Sequence, residues 1–491
     1  MIEIRAKDET TATLVSSNLN VIKSVQEALQ FRPENYYFNP KFKAGIWDGW
    51  IRPVDMYGNF QKGLMAEVCT ILENMDEEYI VNTEEFPAFY ETDISICDTS
   101  KISDGKGEII KPFDYQTGSA EWILENKRGI VLAPTGAGKS LIIYLAIRSL
   151  LESDKYKKIL VLVPTVGLVT QLYKDIQDYS EFEPEWNSVH FCHQIMAGEE
   201  KNNDKMSVYI STWQSIYGIK DKSYFEQFDA VFVDETHTAD ATSITGILNK
   251  CINARVKIGL SGTLKKTKLH ITNLKGLFGE IHETTTTKDL MDKGILSNLE
   301  ITSIVFKHKG DIPRLEYKDE LNYIVTHEKR NKFICNLVNK QKGNSLILFQ
   351  LVEKQGKPLL KMMKEMFPDK EVHYISGSVK ATIREEIRQI VENSDSAVII
   401  ASYQTFQQGI NIKKLHNVIF ASPSKSNIRV FQSIGRALRK HKTKEVAKLF
   451  DIADDMRGTK KTLNHTLNHF KERIKMYYEE GFKVKYLELD L

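Results

Sequence analysis

The stretch VLAPTGAGKSLIIYLAIRSL, residues 131–150, decides the fold, because an apolar strand enters a glycine-rich turn that opens directly into a helix. Glycines in such a turn let backbone N–H groups face phosphate oxygens at the positive end of the helix. Lys139 is placed to reach the terminal phosphates of a nucleotide, and the Ser140 hydroxyl is placed to bind Mg²⁺. The alternative is an ordinary strand-to-helix turn. Ala133 replaces the first glycine of the phosphate-binding pattern, which slightly supports this alternative. The predicted ATP contacts are Pro134, Thr135, Gly136, Ala137, Gly138, Lys139 and Ser140.

Short apolar runs that end in Pro, Gly, Ser or Asp recur in two series, one from about residue 113 to 270 and one from about 343. Val/Ile/Leu-rich runs of this kind are typical of buried parallel strands in βαβ units. The prediction is an α/β fold with two tandem doubly wound parallel sheets, a small N-terminal α+β accessory domain and a helical C-terminal tail. The expected boundaries are 1–97 for the accessory domain, 98–112 for a polar linker, 113–290 and 291–455 for the two α/β domains, and 456–491 for the tail.

Composition sets only broad limits on function. The 491 residues suffice for roughly three domains, and a formal net charge of +2 neither demands nor excludes nucleic acid. The five cysteines are scattered without a C-x-x-C pair, as expected of reduced thiols in a cytosolic protein. The sequence lacks a signal-peptide pattern and an apolar run of the roughly 18 residues that a membrane helix needs. We therefore expect a cytoplasmic protein without a membrane partner.

Two adjacent carboxylates follow the apolar run DAVFV, at the carboxyl end of a predicted strand, where open α/β sheets bind ligands. Asp234 is predicted to hold Mg²⁺, and Glu235 to orient and deprotonate the attacking water. In the second α/β domain, FQSIGRALRK places Arg436 and Arg439 three residues apart, which predicts that they share a helical face and stabilise charge on the γ-phosphate. A solvated basic helix face is the alternative for the two arginines.

These motifs, in this order, resemble those of the superfamily 2 helicases and translocases of the DExH type, over about residues 113–455. The resemblance implies that both α/β domains are RecA-like and that the protein hydrolyses ATP with Mg²⁺ to move along nucleic acid. It gives roles to further residues: Tyr115 and Gln116 near adenine, Gly409 and Gln432 at ATP, Ser261 and Thr263 in coupling hydrolysis to domain movement, and Thr165, Gln171 and Thr212 on the nucleic-acid strand.

The details TWQS and QSIGRALRKH, together with YYFNPKFKAGIWDGWIRPVD at residues 36–55, are similar to the phage UvsW-type branch-migration helicases. This resemblance covers nearly the whole chain and implies that the accessory domain contacts DNA. Aromatic faces can stack on unpaired bases, and cations suit phosphates. Turn signals at Asn39-Pro40 and Asp48-Gly49 predict a small β-rich unit. The alternative to DNA contact is that the aromatic side chains form the core of a small domain. The predicted DNA contacts in this stretch are Lys41, Lys43, Trp47, Trp50 and Arg52.

The C-terminal tail carries His465 and His469 four apart on a predicted helix, with no third metal ligand evident. An exposed helix face therefore explains the two histidines better than a metal site. Arg473 and nearby lysines are a candidate DNA contact, with a solvated helix face as the alternative.

The sequence thus predicts an ATP-dependent DNA helicase or translocase that unwinds or branch-migrates forks and four-way junctions in replication, recombination or repair. We expect it to act as a monomer, because one chain carries both α/β domains. A helicase acting on RNA or RNA–DNA hybrids and the motor subunit of a restriction-type enzyme are the alternatives. A nuclease carboxylate cluster is not evident in the sequence, and a binding module without enzymatic activity would not need ATPase residues in both domains.

Overall fold

The chain forms two compact units. One consists of Met1–Ala133 and Gly138–Thr284, and the other of Pro134–Ala137 and Thr285–Leu491. The computed structural model describes residues 2–82, 94–196, 198, 200–238, 242–310, 312–407, 412–424, 434–435, 438–441, 444–458 and 462–491. The division between the units at Thr284 falls close to the boundary expected between the two α/β domains.

The accessory domain is a four-stranded sheet covered by helices, which confirms the predicted α+β fold. Its strand order is β3-β2-β1-β4, with β1 and β2 antiparallel and β1 and β4 parallel. Alternate apolar residues of β1 and β2 face the helices and form the core. The elements are β1 (Ile2–Ala6), β2 (Thr11–Ser16), α1 (Leu19–Leu29), α2 (Pro40–Lys43), β3 (Asn59–Gln61), α3 (Met65–Asn74) and β4 (Tyr79–Val81).

The first α/β domain contains a parallel sheet of seven strands in the order β11-β5-β10-β9-β6-β8-β7. Its strands are β5 (Arg128–Leu132), β6 (Ile159–Val163), β7 (Cys192–Ile195), β8 (Val208–Thr212), β9 (Ala230–Asp234), β10 (Val256–Ser261) and β11 (Ile281–Glu283). Its helices are α4 (Asp114–Asn126), α5 (Lys139–Glu152), α6 (Val166–Tyr179), α7 (Ser188–Phe191), α8 (Trp213–Ile216), α9 (Ser223–Glu226), α10 (Thr242–Lys250) and α11 (Lys268–Phe278). The glycine-rich turn follows β5, and the two carboxylates stand at the end of β9, one strand beyond β10.

The second α/β domain also has a parallel sheet of seven strands, in the order β14-β15-β13-β16-β17-β12-β18. The strands are β12 (Asn298–Lys307), β13 (Ser345–Phe349), β14 (Val372–Ile375), β15 (Val398–Ser402), β16 (Asn417–Phe420), β17 (Val446–Asp455) and β18 (Val484–Asp490). The described helices are α12 (Thr287–Asp292), α13 (Tyr317–Thr326), α14 (Glu328–Asn339), α15 (Lys357–Met366), α16 (Ala381–Asn393), α17 (Tyr403–Gln407) and α18 (His465–Glu479). The two parallel sheets confirm the predicted tandem α/β architecture.

The C-terminal tail is more than a helical appendage. It contains the predicted helix, α18, but it continues into β18, which pairs in parallel with β12 along Ile301–Lys307. The sequence VKYLELD carries charged residues on both faces, so it lacks the apolar run by which the other parallel strands were found. An edge strand tolerates this pattern because its outer side faces solvent.

The predicted linker 98–112 lies packed along the first α/β domain. Just before it, the backbone N–H of Cys97 donates to Ser149 Oγ over 2.8 Å. Within it, Ile102 is buried and the N–H of Ser103 donates to the carbonyl of Tyr179 over 3.1 Å. Buried backbone groups with hydrogen-bond partners thus attach this part of the predicted linker to α5 and α6.

Polar contacts join the accessory domain to the first α/β domain. Within the accessory domain, Glu9 Oε2 accepts from the fully buried Lys62 Nζ over 2.7 Å. Across the interface, the carbonyl of Glu9 accepts from Arg128 Nη1 over 2.8 Å. Lys257 Nζ donates to Thr10 Oγ1, also over 2.8 Å. Arg128 begins β5 and Lys257 lies near the start of β10, so the accessory domain holds the amino ends of two central strands.

Close packing at α11 completes this interface. A Cβ at Gly63 would collide with the carbonyl oxygen of Lys275, so only glycine permits this approach. Lys275 Nζ lies 2.8 Å from Glu67 Oε1 of α3. The accessory domain and the first α/β domain therefore belong to one compact unit, as the division of the chain also indicates.

Lys62→Met is expected to lower the free energy of unfolding of the first unit by about 3 kcal/mol, because it leaves the largely buried Glu9 carboxylate without its partner. Urea denaturation of the full chain, followed by tryptophan fluorescence, measures the loss. The matched control is Lys23→Met, which removes an exposed pair with Glu27 and should cost under about 1 kcal/mol. Equal losses in the two variants would contradict a stabilising role for the buried pair.

Candidate nucleotide site

The glycine-rich turn leads directly into α5 and packs against the residue predicted to lie near adenine. Gly138 has φ +79°, and a Cβ there would collide with Gln116 Nε2. Gln116 Oε1 accepts from the N–H of Phe113 over 2.9 Å, which fixes the amide at the start of α4. Lys139 Nζ donates to the carbonyl of Ala133 over 3.3 Å. The structure therefore brings the predicted Gln116 and the phosphate-binding turn together.

An aromatic pair stands at the start of α4. The rings of Phe113 and Tyr115 stack with centroids 5.7 Å apart and planes 9° from parallel. Tyr115 is half-buried, and burial raises its pKa to about 12, whereas Phe113 is 45% exposed. Sequence reasoning named Tyr115 but missed Phe113, although the adjacent residues in PFDYQ carried the signal. An exposed ring beside the turn is suited to contact a purine base.

The carboxylates of DETH occupy a constrained turn after β9. Glu235 has φ +53°, a left-handed conformation that is uncommon for a residue other than glycine and is found disproportionately at functional sites. Its backbone N–H donates to Asp234 Oδ1 over 2.9 Å. Burial raises the pKa of Asp234 to about 6, with the Glu235 charge adding to the rise and Lys139 opposing it. The two acids are therefore held close together near the lysine of the turn.

His237 connects the DETH and SGT motifs. Its Nδ1 lies 3.1 Å from Glu235 Oε2 and 3.1 Å from Ser261 Oγ. Ser261 Oγ in turn donates to the carbonyl of Thr263 over 2.8 Å. Sequence reasoning gave roles to Ser261 and Thr263 but none to His237, although the histidine is the fourth letter of the motif. The imidazole provides a polar link from the carboxylate to the residues predicted to couple hydrolysis to movement.

The residues at this site fit a magnesium ion. Hydroxyl and carboxylate oxygens, as on Ser140 and Asp234, are ligands that Mg²⁺ prefers. The Glu235 charge acts on the buried Asp234 carboxyl, and a divalent cation would offset the charge of both acids. Ser140 Oγ shares a 2.8 Å hydrogen bond with the Tyr179 hydroxyl. Among the described residues, no cluster of three or more His, Cys, Asp and Glu side chains could hold a metal ion.

The site residues predicted in the second unit are only partly described. Gly409, Gln432 and Arg436 lie outside the described residues. Arg439 forms an isolated antiparallel bridge with Leu296 and is not in a helix, so the expected common helical face does not extend to it.

The residues predicted to contact nucleic acid in the first domain lie at one edge of its sheet. Thr165 caps α6, its Oγ1 accepting from the N–H of Leu168 over 3.3 Å. Thr212 caps α8 in the same way, with the N–H of Ser215 as donor over 3.3 Å. Their strands are adjacent and parallel, so both threonines stand at the carboxyl edge. Gln171 is exposed on α6.

We call residues 31–51 of the accessory domain the aromatic loop. The DNA contacts predicted in and beside this loop fall into two groups. Trp47 Nε1 donates to the carbonyl of Trp50 over 2.8 Å, and both rings are partly buried. Just beyond the loop, Arg52 forms an ion pair with Asp48 at 2.6 Å. These contacts favour a structural role for the two tryptophans and Arg52. Lys41 and Lys43 are exposed.

The aromatic loop is not the β-rich unit expected from its turn signals. It contains a short 3-10 helix at Tyr36–Phe38 and the single turn α2. An antiparallel bridge between Phe31 and Ile51 closes it. The sheet of the accessory domain comes instead from strands before and after the loop.

The candidate residues of the C-terminal helix have structural partners. Arg473 is buried and bonds to Asp451, so its assignment as a DNA contact is wrong. His469 packs its ring against Tyr317 at 5.3 Å, and the backbone N–H of His465 donates to Glu320 Oε2 over 2.9 Å. The two histidines are therefore partly buried side chains of a packed helix.

Within the described ranges, none of the helices combines the length and the apolarity that crossing a membrane would require.

Three family models match the chain. Residues 1–82 match the N-terminal domain of the DNA helicase UvsW, residues 109–266 the res subunit of type III restriction enzymes, and residues 328–441 the helicase conserved C-terminal domain. The matches follow the order of the accessory domain and the two α/β domains.

Similar proteins and structures extend these matches. The chain is 34% identical over 482 residues to the ATP-dependent DNA helicase uvsW of Enterobacteria phage T4, covering 93% of each chain. The crystal structure of T4 UvsW matches 100% of this chain and 99% of that chain, with 30% identity and a TM-score of 0.50. A putative HsdR subunit of a type I restriction enzyme from Vibrio vulnificus has a TM-score of 0.59 at 16% identity, covering 84% of this chain and 75% of that chain, and shows the fold alone.

Proposed function

The chain belongs to the UvsW family of DNA helicases, and on this premise we propose that it spends ATP on unwinding or branch-migrating branched DNA, such as forks and four-way junctions. The observation that carries the proposal is the extent of the similarity, which includes the accessory domain as well as the motor domains. A match confined to the motor would leave the substrate open, because many nucleic-acid motors have the same α/β domains.

ATP binding and water activation are assigned to the first α/β domain. Lys139 and the backbone of the glycine-rich turn bind the phosphates, and the base lies near Gln116 and the Phe113–Tyr115 pair. Glu235 orients the attacking water and accepts its proton. Its position beside His237 supports this role, because the imidazole restricts the carboxylate's orientation. Ser140 and Asp234 would hold Mg²⁺, which supplies positive charge to the phosphates when bound.

Residues of the second α/β domain are proposed to complete the reaction. Arg436 and Arg439 would stabilise negative charge on the γ-phosphate as it is transferred, with Gln432 and Gly409 at the nucleotide. Support comes from the order of the motifs and from the match of residues 328–441 to the helicase C-terminal domain. Ser261 and Thr263 would couple ATP hydrolysis to domain movement, with His237 connecting Ser261 to Glu235.

DNA is proposed to lie along the carboxyl edge of the first sheet, near Thr165, Gln171 and Thr212. A motor that passes over any sequence must grip phosphates and not base edges. Binding should therefore be strongly weakened by salt and nearly independent of sequence. Lys41 and Lys43 of the aromatic loop would add phosphate contacts at the branch.

The wider setting of the activity is also proposed. Action in the cytoplasm, of the host cell if the chain is phage-encoded, and a role in replication, recombination or repair are supported by the similarity to a phage DNA helicase. A monomer would suffice, because one chain carries both motor domains. RNA–DNA hybrids stay possible substrates, while whole-length similarity to a DNA helicase makes an RNA helicase or a restriction motor less favoured.

The test is ATP-dependent rearrangement of a synthetic four-way DNA junction, with Lys139→Ala as the inactive control. The wild type should separate the junction into duplex arms, and the variant should not, because it lacks the phosphate-binding ammonium group. Gel mobility of labelled strands measures the products. ATP hydrolysis on DNA without any change in the junction would refute the branched-DNA proposal and leave the motor assignment standing.

A further inference from the structure

The aromatic loop exposes three large apolar side chains. Tyr37 is 51% exposed, Phe38 64% and Ile46 77%. The rings of Tyr37 and Phe38 lie 4.5 Å apart, and the N–H of Ile46 donates to the carbonyl of Lys41 over 2.9 Å. We call these three side chains the apolar ridge. Tyr37 and Phe38 adjoin each other, and Ile46 is exposed on the same loop. Several exposed apolar groups on one loop mark an interaction surface better than a single one does.

The loop holds the ridge in a fixed shape. The Arg32 guanidinium lies 4.9 Å from the ring centroids of both Tyr36 and Trp50. Tyr36 also packs edge-on against Phe42 at 4.9 Å. Together with the indole hydrogen bond of Trp47, these contacts fill the inside of the loop with aromatic rings and turn the ridge outward. A preformed surface loses little conformational entropy when it binds.

The charges around the ridge favour nucleic acid as its binding partner. Lys41 and Lys43 are exposed on α2, and Lys43 Nζ lies 5.6 Å from the Phe38 ring centroid. Across the described part of the chain, neither lysine has a carboxylate within ion-pair distance, whereas Arg52 is neutralised by Asp48. Aromatic rings can stack on bases, and lysines without an ion-pair partner can bind the phosphates beside those bases.

The ridge is attached to the domain that carries the nucleotide turn. The accessory domain holds β5 through Arg128 and β10 through Lys257, and these strands end at the glycine-rich turn and at Ser261. Within the accessory domain, Lys62 pairs with Glu9, whose backbone carbonyl makes the contact with Arg128. The ridge and Lys139 therefore belong to the same compact unit.

We propose that the apolar ridge stacks on the unpaired bases where duplex and single strands meet, and so places the motor at the branch point. This inference rests on the proposed function and deepens it, by separating base contacts at the branch from phosphate contacts along the strand. It also assigns base stacking to Tyr37 and Phe38 and not to Trp47 and Trp50, with Ile46 adding an apolar contact.

The experiment compares affinities for a splayed DNA fork and a blunt duplex of equal length, by fluorescence anisotropy without ATP. Phe38→Ala should weaken fork binding by about 5- to 150-fold, the range for one lost stacked base, and Ile46→Ala should weaken it less. Both variants and their combination should leave duplex binding unchanged. Both side chains are exposed, so the variants should fold. The matched controls are Phe182→Ala in the first α/β domain and Ile80→Ala on β4, which remove similarly exposed groups.

A second readout separates this proposal from the function on which it rests. At saturating single-stranded DNA, the maximal rate of ATP hydrolysis in the ridge variants should equal that of the wild type, because Lys139, Asp234 and Glu235 are intact, while junction rearrangement slows. If the wild type rearranges junctions and the ridge variants bind forks as tightly as the controls do, the ridge proposal is wrong. An equal loss of fork and duplex binding would also overturn it, because that result indicates a general phosphate contact. Failure of the wild type on junctions refutes the proposed function instead.

Discussion

Glu235→Gln is expected to lower kcat for ATP hydrolysis by about 10²–10⁴-fold, because a glutamine amide cannot accept the proton of the attacking water. The substitution keeps the length of the side chain and its place beside His237, where Glu235 Oε2 lies 3.1 Å from Nδ1. The left-handed backbone at this position should persist as well, since it does not depend on the charge. ATP binding should therefore survive while turnover is lost.

Single-turnover hydrolysis and the binding of a fluorescent ATP analogue separate these two effects. The control is Glu125→Gln on α4, an exposed glutamate of the same unit, which should retain wild-type turnover. DNA binding should also be retained in Glu235→Gln, so that the variant stalls on a junction. A kcat within about threefold of wild type would show that another group accepts the proton, since losing a general base costs far more.

The nucleotide turn could be predicted from the sequence because its determinants are local. A strand, a turn that needs glycine at a position such as Gly138, and a helix that begins at Lys139 are adjacent in the chain. Predicting the position of Asp234 and Glu235 also required the rule that parallel strands present their carboxyl ends at one edge of a sheet. The fold followed from the same apolar runs.

Contacts between distant residues could not be predicted in this way. His237 reaches Ser261 across neighbouring strands, and the pairing of β9 with β10 decides that they meet. Within the accessory domain, Lys62 and Glu9 form a largely buried pair, although composition alone places these two charged residues at the surface. Their burial becomes favourable only through a partner that the sequence does not identify.

Arg473 illustrates the same limit with a measurable consequence. In the sequence it stands among lysines on a helix, which suggested a solvent-facing or DNA-contacting side chain. In the structure it is buried against β17, where Nε and Nη2 donate to the two oxygens of Asp451 over 2.9 and 2.8 Å. Nη1 donates to the carbonyl of Ser424 over 2.8 Å, and the Tyr477 hydroxyl donates to Asp451 Oδ2 over 2.9 Å. This bidentate pair attaches α18 to the second sheet.

Arg473→Met is expected to destabilise the second unit by about 3–5 kcal/mol, because it leaves the Asp451 carboxylate buried with Tyr477 as its remaining side-chain donor. The urea dependence of hydrogen exchange in β17 and β18 reports on this unit within the full chain. Lys471→Met, an exposed position on the same helix, is the matched control and should change stability by under about 0.5 kcal/mol. Arg473→Met combined with Asp451→Leu should recover much of the loss, since an apolar pair can replace a buried ion pair. If Arg473→Met behaves like the Lys471 control, then α18 is held by its apolar face alone, and the pair with Asp451 contributes nothing to the stability of the sheet.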